Sequence, residues 1–126
     1  MRLSDITPLA HLEYQRLAPL TSLGGVQAWA HRNAARTRKR EQHVVILLAA
    51  GAASTVLDGS TFYRLELPAD TSTPATLSGR LITAMANNDH PTVEALVQVW
   101  TNEPQHVREA VLVELATTIK RPPHPQ

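Results

Sequence analysis

The chain of 126 residues contains no cysteine. That excludes disulfide frameworks, thiol nucleophiles and cysteine-based zinc sites. Aromatic residues are almost as scarce: Tyr14, Trp29, Phe62, Tyr63 and Trp100 are the whole set. The core must therefore be built from Leu, Val, Ile and Ala, which suits packed helices better than a large β-sandwich. Long apolar runs are missing too. The longest, Val44 to Val56, is broken by Gly51, Ser54 and Thr55 and falls short of the roughly 20 residues that cross a bilayer. Met1-Arg2-Leu3-Ser4-Asp5 lacks the apolar core of a secretion signal, so the expectation is a cytoplasmic protein with no membrane attachment.

Signatures of chemistry are also wanting. There is no GxGxxG, no P-loop and no Gly-x-Ser-x-Gly. Six histidines (His11, His31, His43, His90, His106 and His124) form no HExxH and no pair four residues apart, the spacing that would set two imidazoles on one helix face around a metal. Glu94, Glu109 and Glu114 fall on polar helix faces, where solvent is the expected partner. The small-residue run from Leu47 to Ala53 holds one glycine and lacks the second glycine and following arginine of a nucleotidyltransferase phosphate loop. It reads as a place where helices pack closely. No cofactor and no metal are expected, and the chain is not read as an enzyme.

What is present bounds the answer from the other side. Hydrophobic residues are 43% of the chain, a globular value. A single domain of this length can bury roughly two-thirds of its unfolded surface and needs no disulfide or metal to fold. Net charge is +1, unevenly distributed. Residues 1–42 carry seven basic and three acidic side chains, residues 43–126 five and eight, so any anionic partner belongs with the first third.

Local signals then divide the chain. Thr7-Pro8 is an N-cap followed by proline at the first helical position, opening a helix with Leu9, Leu12 and Leu17 as its stripe and Pro19 as its stop. Thr21-Ser22 caps a second helix, expected to run from Leu23 to about Gln42. Val44 to Leu57 is ambiguous between strand and helix on periodicity alone. Asp58-Gly59 fits a two-residue type I′ turn, and Tyr63, Leu65 and Leu67 alternate with Arg64 and Glu66. The reading favoured is a small β-hairpin with arms at 54–57 and 60–67; the rival is one helix from about Glu41 to Leu57. Pro68 to Pro74 is a polar linker. After it come three amphipathic helices, each with a proline in its first turn: one opened by Thr73-Pro74 and closed by Asn87-Asn88, one by Asp89-His90-Pro91, one by Asn102-Glu103-Pro104. Short connections predict that consecutive helices lie antiparallel side by side. The prediction is a single domain 1–126 of mainly α (α+β) class: N-terminal helices and a small β-hairpin (1–67), linker 68–74, a three-helix unit (75–120) and a disordered tail (121–126).

One segment is chemically distinctive. His31 to Arg40 holds Arg32, Arg36, Arg38, Lys39 and Arg40 and no acid. In a continuous helix Arg32, Arg36 and Lys39 or Arg40 would share a face, a spacing suited to a phosphate backbone; the plainer alternative is a solvated basic face. A helix-turn-helix drawn from Val93 to Ala116 is disfavoured, because its second helix carries Val111-Leu112-Val113 on a broad apolar surface. The functional expectation is a non-enzymatic, accessory or regulatory interaction module that acts through helix faces and self-associates as a dimer or binds a protein. The alternative is a nucleic-acid-binding regulator using those five basic residues, and a small-molecule-binding domain or enzyme comes third.

Overall fold

The computed structural model describes residues 6–57 and 72–120. These form six α-helices: α1 Pro8–Leu17, α2 Leu23–Ala34, α3 Lys39–Leu57, α4 Thr73–Ala86, α5 His90–Asn102 and α6 Gln105–Lys120. Four are capped by side chains, three at the residues the sequence indicates and α4 one residue earlier, at Ser72 instead of Thr73. Thr7 Oγ1, Ser22 Oγ, Ser72 Oγ and an Asp89 carboxylate oxygen accept from backbone N–H groups of the first turns of α1, α2, α4 and α5. These hydroxyl and carboxylate oxygens satisfy donors that a helix leaves orphaned. α4 ends on Asn87-Asn88, where Asn88 takes φ 61°, the left-handed geometry that closes a helix and that asparagine tolerates better than other side-chain-bearing residues.

α3 is the centre. It packs against each of the other five helices, and Val44, Val45, Ile46, Leu48, Ala49, Ala52 and Ala53 are all buried. A helix enclosed on all sides reads as a continuous apolar run, which explains why Val44 to Leu48 shows no amphipathic period. Gly51 allows the tightest approach: a methyl group there would collide with the Tyr14 hydroxyl and lie 3.1 Å from Ile119 Cδ1. The expectation of close packing at the small-residue run fits this geometry.

The fold is all-helical among the described residues, which corrects the hairpin. Its first arm, residues 54–57, is the last turn of α3, where the Thr55 hydroxyl donates to the Gly51 carbonyl. Its second arm, residues 60–67, lies outside the described residues, as does the tail 121–126. The alanines of residues 49–53 extend the helix started at Lys39, and their helical propensity outweighs the β-preference of Val44, Val45 and Ile46.

The second correction concerns the helix expected from Leu23 to Gln42. It is two helices with a break at residues 35–38. In an uninterrupted helix the Ala34 carbonyl would accept from the Arg38 N–H. Both groups are claimed elsewhere. The Ala34 carbonyl accepts two bonds from the Arg108 guanidinium, at 3.1 and 2.9 Å, and the Arg38 N–H donates to the buried Glu41 carboxylate at 3.0 Å, the backward arm of a capping box. In α1, too, the expected stripe is displaced: Leu9 and Leu12 are exposed, and Ala10, Glu13 and Leu17 face inward.

α4 and α5 lie antiparallel, as the short connection predicts, with Thr73 beside Glu103 and Asn87 beside Asp89. α6 departs from that pattern. After Pro104 it turns away to pack on α2, α3 and α4, because its buried set, Val111, Leu112, Leu115 and Ala116, is wide enough to serve several helices. Trp100 marks the corner, buried, with its Nε1 donating to the Arg108 carbonyl at 3.1 Å. A single hydrophobic core runs through both halves of the chain.

Candidate interaction surfaces

The break between α2 and α3 redistributes the five basic residues. Arg32 remains on α2, with NH2 3.5 Å from Glu13 Oε2. Glu13 is buried in α1 and also accepts from Arg16 at 2.8 Å and from the Asn33 amide at 3.2 Å. Burial pushes its carboxyl pKa up. The Asn33 hydrogen bond and the Arg32 and Arg16 charges pull it down by more, leaving it below the ordinary 4.5. Arg40 Nε lies 2.6 Å from the buried Glu41 carboxylate. Both arginines are thus tied to carboxylates that fix helix packing or helix ends. Arg36, Arg38 and Lys39 are exposed, and none of the three side chains has a partner among the described residues. The structure brings these three together around residues 36–39 and places Arg32 and Arg40 in separate ion pairs.

Other polar groups expected in solvent also have structural partners. Glu109 Oε2 lies 2.9 Å from His31 Nδ1. His43 is buried, and its Nδ1 accepts from the Thr7 N–H at 3.0 Å, so in the neutral ring the proton sits on Nε2. No group of three or more His, Asp or Glu side chains that could hold a metal ion occurs among the described residues. No described helix is long and apolar enough to cross a membrane.

Concave surface lies on both sides of α5. Against α3 there is an open cavity of about 500 Å³ lined by Gln42, His43, Ile46, Glu94, Val97 and Gln98. Against α4 two adjoining cavities, about 440 and 220 Å³, share Arg80 and Leu96 as lining residues. Together they form one groove running the length of the α4–α5 pair, about 20 Å at 1.5 Å per residue. Its apolar lining is Leu77, Ala84, Leu96 and Val99, and Val99 is 46% exposed. Arg80 stands midway along it, exposed and without a partner among the described residues. Asp89 marks one end, where it holds the Thr92 hydroxyl at 2.6 Å, and Glu103 marks the other.

Sequence reasoning did not find this groove. Arg80 and Val99 each carry a faint signal, a cation next to the buried Leu81 and an apolar residue outside the stripe of α5. Only the packing of α4 on α5 joins them. Compared with family models, with curated proteins and with solved structures, the chain matches none.

Proposed function

We propose that this protein is a non-enzymatic interaction module, accessory or regulatory in role, that works through its helix faces. The observation that carries the reading is the α4–α5 groove, where Leu96 and Val99 remain accessible beside Arg80, which has no partner among the described residues. A long groove with an apolar floor and sparse charge is the shape that receives a helix from another chain. Self-association is one form the interaction takes, and the cytoplasm is the compartment assumed. A photoreactive side chain at position 99, with light scattering on the purified chain, tests the reading. A discrete crosslinked species or a concentration-dependent dimer is expected. A strictly monomeric chain that forms no adduct from position 99, 80 or 12 refutes it.

A second reading rests on a separate observation, the exposed cations Arg36, Arg38 and Lys39, which have no side-chain partner among the described residues. A nucleic-acid-binding regulator would use them on the phosphate backbone, independent of sequence. With three phosphate contacts, log K should fall against log salt with a slope of about −2.7. Joint replacement of the three by Ala should abolish a low-salt gel shift, and no shift by the unaltered chain excludes this reading.

A further inference from the structure

Resting on the interaction reading above, we infer that the α4–α5 groove docks an amphipathic helix from a different protein, one with a central acidic residue flanked by basic ones. The groove's charges fix that pattern. Arg80 lines it beside Leu96. Asp89 and Glu103, the cap residues that flank α5, lie seven residues before and after its Leu96, which sets each about 10 Å from Arg80 along the groove. The surface therefore alternates negative, positive, negative at equal steps. An α-helix laid along it repeats at the same rise. Its matching charges are an Asp or Glu over Arg80 and a Lys or Arg about seven residues, two turns, to either side.

Between those charges the docked helix must be apolar. Val99 and Leu96 are one turn apart on α5, and Leu77 and Ala84 face them from α4. Leucine-sized side chains at positions three and four residues from the central acid would cover them. Binding would give Arg80 the partner it lacks and remove Val99 from water. A second copy of this chain is a poorer occupant. Reading along the exposed faces of its helices, no described stretch offers an acid with bases seven residues before and after it.

The test uses the full chain and a helical peptide of about 16 residues, ~24 Å long, made of Ala and Leu with the Lys–Glu–Lys pattern. A second peptide carries the reversed pattern, Glu–Lys–Glu. Binding is read by fluorescence anisotropy and circular dichroism. The first peptide should bind and become helical, and Arg80→Glu should weaken it by about tenfold. The reversed peptide should bind Arg80→Glu better than it binds the unaltered chain. Val99→Asp should abolish both. Both altered positions are exposed, so folding is not at stake.

Equal affinity for the two peptides, or binding indifferent to Arg80→Glu and Val99→Asp, overturns the inference. If such binding is lost instead on changing Leu9 and Leu12, the module still acts through a helix face and only this groove assignment fails. A dimer of the chain alone that Val99→Asp dissolves would put a second copy in the groove and overturn the assignment of a foreign helix. No binding by either peptide and no self-association at millimolar concentration defeats both readings.

Discussion

Replacing Arg108 by alanine should destabilise the protein by about 2–4 kcal/mol. The guanidinium donates from Nε and NH2 to the Ala34 carbonyl, and from NH1 to the Glu103 carbonyl at 2.6 Å. It also lies 6.0 Å from the centre of the Trp100 ring. Hydrogen bonds to a charged group are worth about 1.5–3 kcal/mol each in buried settings. Arg108 is half-buried, so water replaces part of what is lost and simple addition would overshoot. The cation also sits at the C-terminal end of α2, adding roughly 0.3–1 kcal/mol; the Trp100 contact adds ~0.5–1 kcal/mol. Ala34 is fully buried, and its carbonyl would be left short of a donor. Urea unfolding followed by tryptophan fluorescence reads the change directly, and a Tm lower by roughly 10 °C should accompany it. Arg108→Lys is the sharper control. An ammonium cannot hold two carbonyls on different helices with a planar fork, so it should recover less than half the loss. A cost below about 1 kcal/mol for alanine, or full stability with lysine, would show that Arg108 does not set the end of α2.

Three further outcomes follow from other parts of the structure. Because the Glu13 carboxyl titrates below its ordinary 4.5 in the folded state, its stabilising effect is complete above that pH and is lost as pH falls through the lower folded value; Glu13→Gln should flatten the stability profile below pH 4.5 and cost about 1–2 kcal/mol at neutral pH, measured by urea titration across pH. Gly51→Ala should lower stability by about 1 kcal/mol, because collision with the Tyr14 hydroxyl outweighs the helix-propensity gain; in a Tyr14→Phe background the same change should become neutral or stabilising, and equal effects in both backgrounds would refute the clash. Asn88→Val should cost about 1–2 kcal/mol at its positive φ and Asn88→Gly should be neutral or better, as thermal denaturation would record.

Much of the architecture is legible because helix starts are local chemistry. A hydroxyl or carboxylate cap followed by proline marks α1, α4 and α5 within a residue or two. The helical spacing of Leu77, Leu81 and Ala84, of Val93, Val97 and Trp100, and of Val111 and Leu115 puts those side chains in the core, with Met85, Leu96, Val107 and Ile119 partly buried against it. The misreadings share a cause in long-range contacts. Nothing near Ala34 in sequence says that its carbonyl belongs to Arg108, 74 residues away. Leu9 and Leu12 look like the inner face of α1 until Glu13, held by Asn33 and Arg32 from α2, turns that helix the other way. The apolar run in α3 has no period because every side of it is covered. The groove was illegible for the same reason: Arg80 and Leu96 are neighbours only once α4 and α5 pack.

The two buried carboxylates also decide what kind of surface remains. Glu13 and Glu41 each hold an arginine of the basic segment while serving the fold, one linking α1 to α2 and the other starting α3. Arg32 stays exposed and Arg40 partly so, but each charge is thereby compensated by a carboxylate. The remaining cations, Arg36, Arg38 and Lys39, occupy the connection and the first residue of α3, a stretch too short to track the backbone of a duplex for a full turn. An isolated trio of charges gives an encounter its speed and direction more than its affinity. The α4–α5 groove differs in kind, since it combines spaced charges of both signs with accessible apolar area, and it is the desolvated apolar area at the centre of an interface that carries most of the binding energy. Under the interaction reading proposed above, the basic corner would steer a partner and the groove would hold it.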